Sequence, residues 1–438
     1  MRASAVLREF GPMVYLPTVL FSLGEGAVLP LIPVIAADRG ATLASAGLIA
    51  SAVVVGQLCG NLPAGWLVSR LGERYTMVIA GAVSLLGAVA SALAPSLALF
   101  TAAVFVFGMS AAAFGLARHA FMTTRVPLEF RARALSLLGG SFRLGMFVGP
   151  FLAAVLLSLF GTELSALWFL AVCLVGLILL VLLGPDPEER AAAADRAAGR
   201  TTASTGVRTA TRSESRGSAD AEDSGEPVSG SIPTVERVGV FRTMWRNRGV
   251  LSRLGLAAAS LSAVRSARQV VLPLWGLSIG LDSSTIALVV GVSGAIDFAL
   301  FYASGQVMDR FGRLWAALPA MVLMGAGFGV LAFTHDGSAA VLWFGMIAAV
   351  LGVGNGLSSG ILLTLGADVA PPGEPAAFLG SWRTLTDAGG AIAPLLFSGV
   401  AALFSLPVAT AVIGVIGLLG AVGFLRWIPR FVPRRPAG

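Results

Sequence analysis

The sequence has no lysine: all 30 of its basic residues are arginine. A chain without lysine cannot carry a G-x-x-x-x-G-K-[ST] loop, which excludes a P-loop ATPase. There are two cysteines, Cys59 and Cys173, far apart in separate apolar runs, so no disulfide or metal framework is expected. The two histidines, His119 and His335, are not spaced as metal ligands. Charged residues amount to 12%, about half the ~25% share of soluble domains. So little polar surface excludes a soluble enzyme, a nucleic-acid-binding domain and a disordered chain. Neither a catalytic triad nor a dinucleotide-binding loop is evident, so the chain is not expected to be an enzyme.

What is present is apolar. Hydrophobic residues make up 56% of 438 residues, and the mean hydropathy is +0.86. About 20 apolar residues at 1.5 Å each cross a bilayer core. Twelve such runs occur, at roughly 12–36, 43–68, 75–95, 97–121, 134–160, 164–184, 250–279, 284–307, 315–334, 339–365, 377–403 and 406–427. The first has no cleavage pattern behind it and reads as a span, not a removable signal. The expected fold class is an all-α membrane protein with twelve transmembrane helices in two six-helix halves. Between spans 6 and 7, residues 185–248 turn to Ser, Thr, Ala, Glu, Asp and Arg. Such a composition buries too little to fold alone and reads as a flexible cytoplasmic linker, with a short helix over Asp186–Arg196. The expected division is therefore 1–184, 185–248 and 249–438.

Arginine placement gives orientation. With the N-terminus inside, the cytosolic loops hold Arg70, Arg74, Arg125, Arg131, Arg133, Arg310 and Arg313, and the tails add more. The opposite face holds Arg39 alone. This positive-inside pattern places both termini in the cytoplasm of a multi-pass cell-membrane protein. It also accounts for the net charge of +7 without a nucleic-acid partner. The expected partners are a small-molecule substrate and the lipid bilayer, with the chain acting as a monomer.

Sliding the chain by 240 positions brings Gly65–Arg74 onto Gly305–Leu314, Gly140-Ser141-Phe142-Arg143 onto Gly380-Ser381-Trp382-Arg383, and Pro33 onto Pro273. The halves are parallel repeats, an arrangement in which the substrate site lies at the repeat interface near the bilayer midplane. The segment Gly305, Asp309, Arg310, Gly312, Arg313 fits the motif G-x-L-x-D-R-x-G-R-R, and its first copy keeps Gly65, Leu67, Arg70, Gly72 and Arg74 while Ser69 and Glu73 depart. On these residues the chain resembles the major facilitator superfamily, apart from the linker. The resemblance implies that the two motifs act as cytosolic latches. Span 5 carries Gly145-x-x-x-Gly149-Pro150, which resembles the antiporter signature of bacterial drug/proton exporters, although Ala153-Ala154 replaces its trailing glycine pair. The small-residue row Gly352, Gly354, Gly356, Ser358, Ser359 and Gly360 reads as a packing surface.

Ionisable residues inside spans are costly and mark function by default. Eight occur: Glu25, Arg118, Arg143, Arg265, Arg268, Asp297, Arg383 and Asp387. Glu25 and Arg265 are equivalent under the repeat, as are Gln57 and Asp297. Glu25, then Asp297, are the proton-coupling candidates. Arg143, Arg265, Arg268, Arg383 and Asp387 are the candidates for substrate or cavity charge. Arg383 and Asp387, four apart, suit either a static pair along span 11 or a transport element. Arg118 reads as an arginine that snorkels from the cytosolic end of span 4, His119 as interfacial, and His335 as an external loop residue. Trp382, Phe142, Phe298 and Trp275 either line an apolar pocket or pack between helices. Five arginines against three acids suit an acidic or zwitterionic substrate if they share one cavity. The expected function is proton-coupled efflux of a small amphiphilic or organic compound by alternating access. It needs no cofactor beyond a proton gradient. Uptake of an organic anion, or a non-transporting receptor or scaffold, are the alternatives.

Overall fold

The computed structural model describes residues 11–126, 128–184, 245–337, 339–371 and 375–432. Most of the 185–248 segment, including Asp186–Arg196, lies outside the described residues. Helix dominates and the described residues contain no strand. Among the described residues, eleven helices are long and apolar enough to cross a membrane. The twelfth, Leu256–Ser278, is long enough but more polar, because it carries Arg265, Arg268, Gln269 and four serines. It can afford them because it sits inside the bundle, where those side chains face polar neighbours instead of lipid.

The 240-residue repeat extends to backbone detail. Each half opens with a five-residue π turn, Gly11–Tyr15 and Leu251–Gly255. Each turn between the first and second spans of a half has a glycine in the left-handed region, Gly40 (φ +88°) and Gly280 (φ +79°). Each second span is capped at the same place, by Thr42 and by Asp282. Asp282 lies in the loop ahead of its span. The Thr285 hydroxyl and backbone N–H both donate to it and hold its carboxyl down to about 2. Gly72 (φ +78°) and Gly312 (φ +94°) turn the chain between spans 2 and 3 and between spans 8 and 9.

Glycine decides how span 1 meets span 5. A β-carbon on Gly149 would lie 2.6 Å from both the Ala27 nitrogen and the Leu23 oxygen, and one on Gly145 would lie 2.7 Å from the Leu23 nitrogen. Gly26 packs back, its β-carbon position 3.0 Å from the Met146 α-carbon. The symmetry-related Gly389 presses in the same way on Ala259 of span 7. The antiporter-like Gly145 and Gly149 thus form a seam that fixes the Glu25 helix against the Arg143 helix. Backbone cannot yield as a side chain can, so Gly149→Ala should cost about 1–3 kcal/mol or more and sharply reduce monodisperse protein on size exclusion. Gly140→Ala, where a β-carbon meets nothing within 4 Å, should leave the yield unchanged.

Span 10 is broken. Helix Ala340–Leu357 ends at a turn, Gly360 adopts φ +78°, and Ile361–Asp368 follows. The Ser304 hydroxyl of span 8 lies within hydrogen-bonding distance of the Leu357 and Ser359 carbonyls released by the break (2.7 and 3.0 Å). The small-residue row serves packing as expected: Gly352 abuts Ser293, Gly354 abuts Met324, and Gly356 abuts Asp297. Gly360 has a second task, the left-handed turn, which an L side chain adopts at a cost of about 1–2 kcal/mol. Gly360→Ala should lower the melting temperature, read by scanning fluorimetry, with the fold retained.

Candidate functional site

The two halves enclose a cavity of about 740 Å³, within the size range of small-molecule sites. Exposed Asn61, His119 and Arg383 stand at its mouth, on the face where spans 1 and 7 begin and spans 6 and 12 end. The far face is closed. There Ser283, at the start of span 8, donates to Glu163 of the other half at 2.6 Å, and Gly47 of span 2 lies against Leu274 of span 7 and Ser398 of span 11. Helices that touch at one end and part at the other leave a wedge, and the spans' charged residues point into it.

All eight intramembrane charges line this space. Seven border the cavity. Asp297 borders a smaller chamber that shares Arg143, Arg265 and Arg268 with it. Asp297 is the centre of a network. Its Oδ1 pairs with Arg143 Nη1 at 3.3 Å, a link from span 5 to span 8 that crosses the halves. Its Oδ2 accepts from Asn355 Nδ2 at 2.6 Å. The Asn355 Oδ1 in turn accepts from Arg265 Nε at 2.9 Å. Arg268 Nη1 donates to Ser293 at 2.8 Å. The Arg143 guanidinium also lies 4.5 Å from the centre of the Phe301 ring. Three guanidiniums therefore surround one carboxylate. Among the described residues, Arg265 and Arg268 have neutral partners only, and their remaining N–H groups are left for the cavity.

Glu25 is different. It is 3% exposed, and its Oε2 has no hydrogen-bond partner among the described residues. The Arg118 charge acts on it, yet no ion pair joins the two. Arg118 does not snorkel to the membrane surface, in contrast to the sequence expectation. Its guanidinium turns inward over Phe142 (4.7 Å) and Phe114 (5.7 Å), and its Nη1 is buried without a partner. The aromatic faces and the Glu25 charge supply inside the bundle what the interface would have supplied. His119 also faces the cavity mouth. His335 sits in a loop, against Trp275 and Ser278. Arg383 and Asp387 form an i,i+4 pair at 3.5 Å with side chains 71% and 39% exposed, a local contact worth ~0.3–0.5 kcal/mol. Of the four aromatics considered, Phe142 and Phe298 line the two spaces, whereas Trp275 and Trp382 are packed between helices. Asn355, which joins Arg265 to Asp297, was not among the sequence candidates. A lone amide in an otherwise apolar span was the available signal.

The loop motifs tie each half to itself. Arg74 donates to the carbonyls of Val181, Leu182 and Gly184 at the end of span 6. Arg313 pairs with Asp368 at the end of span 10 at 2.8 Å and donates to Met308. Arg70 and Arg310 lie over Trp66 and Phe311. A β-carbon at Gly65 or Gly305 would meet nothing within 4 Å, so neither holds two helices close here. The side chain of Asp309 lies outside the described set. The cavity opens on this face, and the latch is an expectation for the form in which the face is closed.

Comparison with known proteins agrees with this architecture. The sequence model of the Major Facilitator Superfamily matches residues 14–394. The arabinose-proton symporter of Escherichia coli K12 is 27% identical over 168 residues, 38% of this chain and 35% of that protein, so the aligned stretch spans about a third of that relative. The multidrug resistance protein MdtL of Escherichia coli O45:K1 is 23% identical over 340 residues, 78% of this chain and 77% of that protein. A crystal structure of a POT family transporter in complex with a thioalcohol-conjugated peptide superposes with a TM-score of 0.72 at 10% identity, covering 97% of each chain. Two parallel six-span repeats, a charged cavity between them and paired loop motifs thus coincide with a family match over most of the sequence. The chain is a multi-pass membrane transporter rather than an enzyme, and it belongs to the Major Facilitator Superfamily.

Proposed function

We propose that this protein exports a small organic anion across the cell membrane against proton entry, by alternating access. The observation that carries the reading is a cavity and its adjoining chamber, bordered together by five guanidiniums and three carboxylates, with Glu25 unpaired. An excess of two positive charges between apolar spans favours an anion in that space. Guanidiniums offer forked donors that suit carboxylate and phosphate groups. Asp297 already has Arg143 and Asn355 as partners. Glu25 has no such partner, which makes it the first choice to exchange a proton with cavity water as access alternates, with Asp297 second. The arginine-rich loops favour a cytosolic location for the open face, with both termini on that side.

Export is supported by the span 5 glycine-proline motif and by the match to a multidrug resistance protein over most of both chains. Uptake of an organic anion with protons is the second reading, favoured by the similarity to an arabinose-proton symporter. The test is accumulation of a panel of labelled organic anions in cells with and without the gene, at two external pH values. Export predicts lower accumulation in cells that express the protein, relieved by a protonophore. Higher accumulation that increases at acid pH would favour uptake. No gene-dependent difference for any anion would sink both.

A further inference from the structure

Beyond the arginine cluster, toward the closed face, lies the smaller chamber of about 230 Å³. It shares Phe142, Arg143, Arg265, Arg268, Gln269 and Asn355 with the main cavity. Almost every polar group of the chamber is therefore at its entrance. The rest of its wall is apolar, with Leu29 and Pro30 from span 1, Met146 and Phe147 from span 5, and Val290 and Phe298 from span 8. The exception is Asp297, whose charge Arg143 already pairs and whose second oxygen accepts from Asn355. Phe147 and Phe298 stack at 5.5 Å across the two halves. An all-polar anion would leave this wall with nothing to cover. A neutral apolar molecule would have to pass the guanidiniums without pairing to them.

From this layout we infer that the substrate is an amphiphilic monocarboxylate whose head group docks on Arg265 and Arg268 while its ring or short alkyl body enters the chamber. This rests on the reading of the cluster as an anion site and names the class of anion. Phe147, Phe298 and the space beside Gly294 then set specificity. Gly294 offers a clean probe, because a β-carbon there meets nothing closer than 3.8 Å. Side chains at this position should fill the chamber without moving the backbone.

The experiment uses the full-length protein in lipid nanodiscs, titrated with benzoate, acetate and benzamide by thermal shift, with empty nanodiscs as blank. Benzoate should bind about tenfold or more tightly than acetate, because only it carries an apolar body to bury. Benzamide, of equal shape without the charge, should bind far more weakly. Gly294→Val and, separately, Phe298→Ala should weaken benzoate about tenfold and leave acetate unchanged. Equal affinity for benzoate and acetate, unaffected by Gly294→Val, would overturn the chamber assignment and leave the anion site standing. Binding of benzamide as tight as benzoate, or no response to either carboxylate, would overturn the anion reading beneath it.

Discussion

Glu25→Gln should abolish pH-driven transport while leaving substrate binding and substrate exchange in place. The substitution keeps the shape of the side chain and mimics the protonated acid permanently. Because Glu25 makes no ion pair and its Oε2 has no hydrogen-bond partner among the described residues, removing its charge breaks no contact that holds the fold. The nearby Arg118 loses the Glu25 charge but keeps the faces of Phe142 and Phe114. The expected phenotype is therefore specific: no substrate accumulation against a gradient, near-normal counterflow, and a thermal stability lowered only slightly. Asp297→Asn should behave differently. It strands Arg143, whose ion pair crosses from span 5 to span 8, so it should shift the balance between the open and closed forms as well as the coupling. Retention of pH-driven transport in both Glu25→Gln and Asp297→Asn would remove these acids from the mechanism.

Replacing Arg265 or Arg268 with Gln should raise the substrate KM roughly 10- to 150-fold, the equivalent of losing a charged hydrogen bond of ~1.5–3 kcal/mol. Each arginine has a neutral partner, Asn355 or Ser293, so Gln leaves no carboxylate unpaired. Stability should hold or rise, because a desolvated positive charge has gone. Arg383→Gln is the contrasting variant. Its partner Asp387 is on the same helix and its side chain is largely exposed, so the expected effect on KM is small. Transport assays over a substrate titration separate the two cases. A small change in the Arg265 and Arg268 variants with a large one in Arg383→Gln would move the binding site to the cavity mouth.

The sequence carried the membrane architecture because a bilayer imposes a length and an apolarity on each span. The repeat was legible at three separated segments, and it reaches as far as matching π turns and matching left-handed glycines. The eight charges were legible because an ionisable side chain in a span is costly enough to need a reason. What hydropathy does not carry is direction around the helix. In lipid the outer face of a span is as apolar as its packed face, so Arg118 could not be aimed from its position along span 4. Asn355 stands within a row of glycines and serines that reads as packing, yet it closes the hydrogen-bond chain from Arg265 to Asp297. The break at Gly360 was hidden for the same reason, because a glycine for close approach and a glycine for positive φ look alike in sequence. Which end of the bundle is open depends on contacts between distant spans, such as Ser283 with Glu163, that no local pattern encodes.

An arginine-dominated cavity with one unpaired acid should couple an organic anion to protons. Proton movement in proteoliposomes with a lumenal pH dye reads this coupling, on addition of benzoate or of benzylamine as a cation of similar shape. The lumenal pH of protein-free liposomes is subtracted for each compound. A protein-dependent pH change is expected with benzoate, none with benzylamine, and loss of the benzoate signal in Glu25→Gln. A protein-dependent signal from benzylamine alone, or a benzoate signal undiminished in Glu25→Gln, would contradict it.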